Sequence, residues 1–329
     1  MQKIIVTLWR AALIVLAALA LQGCDTVTKQ EAPLAPIRVA GARWIELSPV
    51  VTAAEHFYPQ KLTVPSGGVT SITRNEADVA TNAETQLLRE SITNPDLRII
   101  MTVSESFYRL AARRSAGISK ISDLKGKRVL VPRLTSAHYY LELMLRSGGL
   151  TEADVTLVTL PPLPAGQQPG KFRNAEALAK GEVDVIAAFE PEPAIAMRLL
   201  GNDGIILQDR KVYREAFNLN ARAPDLADPE KRRAIVRYVR AVADASKALK
   251  KDPKPYIPYI SSVIGFNADE INLGWPETEF PVKIIPDMLD VMVVEEQWLA
   301  KISNRSPRSR AELAKFIDRS VVDEALALK

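Results

Sequence analysis

The chain of 329 residues contains a single cysteine, Cys24, and only two histidines, His56 and His138. One thiol excludes an intrachain disulfide, a C-x-x-C redox pair and a cysteine-rich zinc site, and two histidines exclude a three-histidine zinc centre. No G-x-S-x-G elbow, H-E-x-x-H helix, Walker A loop or dinucleotide-binding glycine fingerprint is present, which removes the common motif-based enzyme readings. Charge of one sign is also lacking: 43 Lys and Arg face 39 Asp and Glu. No basic run is long enough to track a phosphate backbone, so no nucleic-acid partner is expected. What remains is 47% hydrophobic and 25% charged, with 6% aromatic residues. That is the composition of a packed globular protein rather than a collagen-like or disordered one. The length suggests two domain-sized units.

Only one long apolar run occurs. Ala11 to Leu21 is uninterrupted and follows Lys3 and Arg10. It falls short of the ~20 residues that cross a bilayer and fits the hydrophobic segment of a secretory signal. Leu21-Gln22-Gly23-Cys24 follows at once. This arrangement resembles a bacterial lipobox, in which the cysteine sulfur is acylated and becomes the new N-terminus. The expectation is a signal peptide over 1–23, lipid on Cys24, and a polar, proline-containing tether over 24–35. Asp25 resembles the signal that retains some lipoproteins at the inner membrane, so the body would sit on the periplasmic face of that membrane. Removing the leader takes away Lys3 and Arg10 and no acid, which brings the formal charge from +4 to +2.

Past the tether, short apolar runs alternate with helix-compatible stretches. Strands are expected at Ile37–Val39, Lys61–Val64 and Ala77–Ala80, with a helix over Val50–Tyr58. Arg98–Val103 and Tyr108–Arg113 read as a strand leaving one lobe and another entering the next. Strands at Arg128–Val131, Thr156–Leu160, Val183–Phe189 and Ile205–Leu207 repeat the rhythm, with a helix from Thr135 to Arg146 ended by Gly148-Gly149. From Asp228 onward the chain reads as helical: Pro229–Lys251, Asp287–Ile302 and Arg310–Ala327.

The run Ser122-Asp123-Leu124-Lys125-Gly126-Lys127-Arg128-Val129, then Thr135-Ser136-Ala137-His138-Tyr139-Tyr140-Leu141, Gly149-Leu150 and Asp154-Val155, forms a familiar series. Gly181-Glu182-Val183-Asp184 followed by Phe189-Glu190-Pro191 belongs to it. The series resembles the type II periplasmic solute-binding proteins of the nitrate/sulfonate/taurine group (SsuA/TauA-like), which feed ATP-binding cassette importers. The resemblance implies an α/β chain with a two-lobed type II periplasmic-binding-protein fold. Each lobe would be a doubly wound sheet flanked by helices, with a helix-rich C-terminal extension. Residues 36–105 with 211–329 would form one lobe and 106–210 the other. Glu55-His56-Phe57-Tyr58-Pro59 stands where the group usually carries Gly-Tyr-Phe, so architecture transfers better than ligand identity.

The implied ligand is a small polar organic anion or zwitterion held between the lobes. The helix opening at Thr135-Ser136 has no acid before Glu142, and the start at Ser66-Gly67-Gly68 has none before Glu76. Such uncompensated positive ends can take an anion, although Thr135 and Ser136 can equally cap their own helix. Glu190 opens another helix and faces either solvent or an amine, amide or hydroxyl of the ligand. Trp44, Asn82, Ser104 and His138 complete the candidate ligand set with Ser66, Gly67, Thr135, Ser136 and Glu190. Asn82 and Glu84 share the ambiguity of Glu190, and Trp44, Tyr108, Tyr139 and Phe189 are either aromatic walls or core. No cofactor and no metal is expected. The partners would be a membrane permease with its ATPase, and the chain a monomer. A lipoprotein reporting its ligand to a membrane sensor is the alternative. A thiamine-precursor enzyme of the same fold is the more distant one, since that branch resembles a cysteine-rich type and this chain has one cysteine.

Overall fold

The computed structural model describes residues 33–160 and 171–328. The leader, Cys24 and most of the tether lie outside them. No helix among the described residues is long and apolar enough to cross a membrane.

In chain order the strands are β1 (Val39–Gly41), β2 (Val79–Ala83), β3 (Leu97–Ser106), β4 (Leu110–Arg113), β5 (Arg128–Leu130), β6 (Thr156–Val158), β7 (Val185–Ala187), β8 (Gly204–Leu207), β9 (Glu215–Arg222) and β10 (Thr278–Glu279). They form two five-stranded sheets, ordered β1-β2-β9-β3-β10 and β6-β5-β7-β4-β8. Each is mixed: β1 and β2 run parallel while β9 lies antiparallel to both β2 and β3. In the second sheet β6, β5 and β7 are parallel and β4 is antiparallel to β7 and β8. The chain passes from the first sheet to the second between Ser106 and Leu110, and returns between Leu207 and Glu215. Two mixed sheets with flanking helices are the architecture that the resemblance implied.

One electrostatic device recurs in both sheets. Asp78, just before β2, accepts from the Arg38 amide at 2.7 Å and from the Arg38 guanidinium at 3.0 Å, and Lys231 Nζ adds a third contact at 2.7 Å. Asp184, just before β7, accepts from the Arg128 amide at 2.9 Å and its guanidinium at 2.7 Å. Each aspartate thereby ties its strand to the start of the neighbouring parallel strand. The donors outweigh burial and bring both carboxyls down to about 2. Charge-assisted bonds of this kind are about twice as strong as neutral ones.

The helices that position the cleft are α1 (Ser48–His56), α2 (Glu84–Glu90), α3 (Ser136–Ser147), α4 (Glu192–Leu200), α5 (Pro229–Lys251) and α6 (Met288–Ile302). Asp228 caps α5, accepting from the Glu230 and Lys231 amides at 2.9 and 3.0 Å. The α5 stripe of Ile235, Tyr238, Val239 and Val242 is buried, and the Tyr238 hydroxyl donates to the Val50 carbonyl in α1 at 2.9 Å. A helix with such a stripe is held chiefly by burial of that face, with the cap adding about 1 kcal/mol.

Three expectations change. Residues 61–64 form no strand; that edge of the sheet is continued only by a bridge between Gly41 and Ser66. Arg310–Ala327 is two helices, Arg310–Ala314 and Arg319–Ala327, because the segment between them bends to pair Ile317 with Ile99 of β3. The strand β9, central to the first sheet, was not anticipated. Its sequence Glu215-Ala216-Phe217-Asn218-Leu219-Asn220-Ala221-Arg222 places two asparagines at fully buried positions. Asn218 accepts from Thr102 Oγ1 at 2.9 Å and donates to the Ala216 carbonyl at 2.8 Å, while Asn220 donates to the Ala80 carbonyl at 3.2 Å. Bonds to the neighbouring strands and to β9 itself replace most of the water that the polar pattern suggested, with Asn220 Oδ1 left without a partner.

Candidate functional site

Parallel strands of α/β sheets direct their carboxyl ends, and the loops that follow, toward a common crevice. Here the loop after β1 supplies Trp44 and Glu46, the end of β2 supplies Asn82, and β9 begins there with Glu215. From the second sheet, the loop after β5 leads to Ser136 and the loop after β7 to Phe189. These residues wall a cavity of about 40 Å³ between the two sheets. Hollows of about 560 and 530 Å³ along α3 and α6 are larger, and the second is lined by Arg210, Tyr213 and Arg214 of the passage leading into β9.

The floor of the crevice is acidic. Glu46 sits in a 3₁₀ turn whose side chain accepts from Ser106 Oγ of β3 at 2.9 Å, and its second oxygen is buried without a partner. Burial pushes this carboxyl up to about 7. Glu215 accepts from Ser136 Oγ at 2.9 Å, and Tyr108 and Ser136 share a further bond of 2.9 Å. Burial, then the fields of Glu46 and Glu84, raise Glu215 well above the usual carboxylate range. Glu84, the first residue of α2, accepts from the Tyr213 hydroxyl at 2.5 Å and the Ala216 amide at 2.9 Å, and is raised by burial and by Glu295. Glu295 of α6 accepts from Thr85 Oγ1 at 2.5 Å, and burial pushes it up to about 8. No ion pair among the described residues reaches Glu46, Glu84, Glu215 or Glu295. Desolvation therefore goes uncompensated by a cation and disfavours the charged form of each carboxyl.

Aromatic rings run along the same seam. Trp44 meets Phe189 at 5.1 Å between centroids, Phe189 meets Tyr108 at 5.8 Å, and Tyr108 meets Tyr213 at 5.8 Å. Tyr213 continues to Tyr139 at 5.4 Å, and Tyr139 to Trp298 at 5.1 Å. The four aromatic residues singled out in the sequence thus belong to one row that joins the two halves. Edge and tilted contacts of this kind add about 0.5–1.5 kcal/mol per pair beyond area burial.

Of the candidate ligand residues, the structure brings Trp44, Asn82 and Ser136 to the cavity. Ser104 lies just behind it, its hydroxyl donating to the Glu46 carbonyl at 3.3 Å. Ser66 and Gly67 stand apart on the sheet edge, where the Gly67 amide donates to the Gly41 carbonyl at 3.0 Å and an added Cβ would lie 2.4 Å from Ser71 Oγ. Thr135 donates to the Pro132 carbonyl at 2.7 Å and does not cap α3. His138 accepts from the Leu134 amide at 3.2 Å, approaches Glu152 at 3.0 Å and packs edge-on against Trp298. Glu190 is buried and meets Arg109 at 2.5 Å, with Glu277 3.7 Å from the same guanidinium. Burial raises the Glu190 carboxyl and Arg109 opposes it. The expectation that Ser136 takes a ligand anion meets a specific obstacle, since the protein's own Glu215 already holds that hydroxyl. Glu46 and Glu215 themselves carried no signal in the sequence: each is a lone acid in an irregular stretch.

No cluster of three potential metal-ligating groups exists among the described residues.

A profile of the family described as NMT1/THI5 like matches residues 61–255. The chain belongs to the NMT1/THI5-like family. Solved structures agree with the type II periplasmic-binding fold expected for an NMT1/THI5-like chain. The alkanesulfonate-binding protein SsuA from Xanthomonas axonopodis pv. citri, bound to MOPS, is 18% identical with a TM-score of 0.66, over 88% of this chain and 99% of that one. The periplasmic aliphatic sulphonate binding protein SsuA from Escherichia coli is 17% identical with a TM-score of 0.68, over 87% and 92%. The desulfurization enzyme DszB is 16% identical with a TM-score of 0.65, over 88% and 99%. Binding proteins and an enzyme thus share the NMT1/THI5-like chain's architecture, and the fold does not choose between those roles.

Proposed function

We propose that this protein is an extracytoplasmic solute-binding lipoprotein. It captures a small polar solute in the crevice between its two halves and delivers it to the permease and ATPase of an ATP-binding cassette importer. The carrying observation is the cavity at the strand ends, walled from the first sheet by Trp44, Glu46, Asn82 and Glu215 and from the second by Ser136 and Phe189. A site divided between two halves joined by only two chain passages can open for entry and close on the ligand. Residues 36–105 with 211–329 and residues 106–210 are the two moving lobes of this reading, and Cys24 carries the lipid. The printed names of the two sulfonate-binding relatives support solute capture as the role. The sequence reading named an anion or zwitterion; the acidic crevice suits the amine end of a zwitterion better than a bare anion.

The test is a thermal-shift and calorimetric screen of the purified protein against sulfonates, nitrate, amino acids, pyrimidines and aromatic acids, because a ligand that binds only the folded state raises its stability. The expected result is one saturable class of ligand, recovered chemically unchanged and accompanied by compaction in small-angle scattering. A ligand returned as a different compound would make the protein an enzyme of this fold. The absence of any saturable ligand would overturn the reading altogether.

A further inference from the structure

We infer that the crevice takes the cationic, N–H-bearing end of a small organic solute, an ammonium or amidinium group, with Glu46 and Glu215 as its acceptors. The inference rests on the solute-binding reading above and names the ligand class for that site.

Glu46 carries the argument. The residue is 2% exposed, its side chain lines the cavity, and its Oε2 has no hydrogen-bond partner. An unmatched carboxylate oxygen in a dry site is strongly unfavourable unless it gains a proton or a donor, so its presence at a cavity wall marks a place for a donor from outside. Glu215 lines the same cavity, and its Oε1 already receives the Ser136 hydroxyl. A planar amidinium or a compact ammonium presents two or more N–H groups, which two neighbouring carboxyls can accept together. Trp44 and Phe189, also on the wall, offer ring faces, to which a cation is attracted as well.

An anion finds the reverse. No lysine or arginine lines the cavity. The nearby Arg109 is engaged by Glu190 and Glu277, and Lys171 by Glu270. At the start of α3 the Ser136 hydroxyl is taken by Glu215, although no side chain caps the backbone amides there. A sulfonate placed here would meet two buried carboxyls and no lysine or arginine, and could stay only while both carboxyls kept their protons. Size sets a second limit. The present volume of about 40 Å³ holds roughly three waters on a scale of ~10–15 Å³ per water. It admits a head group of a few heavy atoms, and anything larger requires Trp44 and Phe189 to part.

The experiment uses the detergent-solubilised full-length protein with two matched pairs of probes, benzylammonium against phenylmethanesulfonate and benzamidinium against benzenesulfonate. Thermal shift and calorimetry follow each at millimolar concentration. The cations should bind saturably and the sulfonates should not. Glu46→Gln and Glu215→Gln should each weaken cation binding by about tenfold to a hundredfold, the range for a lost charge-assisted bond. Both variants replace a carboxyl by a near-isostere, and their unliganded melting curves report that they fold. Saturable sulfonate binding without cation binding would overturn the charge assignment and leave solute capture standing. Cation binding unchanged in both variants would overturn the site. Failure of all four probes would overturn the inference, and the broader screen would then decide the solute-binding reading separately.

Discussion

Stability should fall as the pH rises through neutrality, an unusual direction set by the buried acids of the seam. Glu46 is pushed up to about 7 and Glu295 to about 8 by burial, from an ordinary 4.5. A carboxyl raised in this way is neutral in both folded and unfolded protein below about pH 4.5, where it costs nothing. As the pH climbs past that value the unfolded chain ionises freely while the folded one resists, and the penalty is complete above the folded value. For Glu46 alone, a rise of roughly 2.5 units corresponds to about 3 kcal/mol. Glu84, Glu215, Glu295 and Glu46 share one field, so their costs do not add independently, and the cluster is expected to remove about 3–6 kcal/mol between about pH 5 and pH 8.5. At about 2 °C per kcal/mol for a chain of this size, the melting temperature should drop by about 6–12 °C. The low-pKa acids Asp78, Asp184 and Glu296, each brought down to about 2, do not interfere. Their contribution is complete above about pH 5 and is lost as the pH falls from there toward 2. Scanning calorimetry of the unliganded protein across this range is the assay, with Glu295→Gln as the control. That variant should melt higher than the parent at about pH 8.5 and flatten the pH profile, because the amide keeps an acceptor for Thr85 without the charge. A melting temperature that is flat or rising from pH 5 to 8.5 would refute the reasoning.

Three further outcomes follow from the same geometry. Arg109→Met should destabilise the protein by about 3–5 kcal/mol in urea titrations at neutral pH by stranding buried Glu190, and Glu190→Met added to it should recover most of the loss. Asp184→Ala should cost about 2 kcal/mol, toward the low end for charged bonds because Arg128 is 44% exposed, and the difference from the parent should vanish as the pH falls from about 5 toward 2. Mass spectrometry should find the mature N-terminus at an acylated Cys24, and Cys24→Ala should release the protein from membranes.

How much of this was legible in the chain depends on whether the governing contacts were local. The parallel strands and their crossover helices announced themselves, because apolar runs of the β type alternated with 3.6-period stretches. The Asp78 and Asp184 clamps sit one residue before their strands, where an acid beside an apolar run is visible in the chain although its arginine is distant. The strand β9 was opaque for the opposite reason. Asn218 and Asn220 read as polar, and only a structure reveals that Thr102, Ala80 and the strand's own carbonyls bond to them, with Asn220 Oδ1 left buried without a partner. The same holds at Phe316 and Ile317, where an apolar pair within a helical pattern leaves the helix to reach β3.

The site shows where such reading stops. An acid-free helix start at Thr135-Ser136 signals a positive end in want of a negative charge, and the rule behind that inference is sound. The rule is blind to who supplies the charge. Glu215 lies 79 residues further along and meets the Ser136 hydroxyl at 2.9 Å, so a negative partner for that side chain is built into the fold. The consequence is measurable at Ser136 itself. With an open anion site, Ser136→Asp would leave the fold intact and block only the ligand. With Glu215 at hydrogen-bond distance, the new carboxylate instead faces an existing one in a dry seam, and both must share a proton or separate. Ser136→Asp should therefore destabilise the unliganded protein by several kcal/mol at about pH 8, and by much less near pH 5, where the pair can be protonated. Equal melting of parent and variant at both pH values would return the helix end to the ligand.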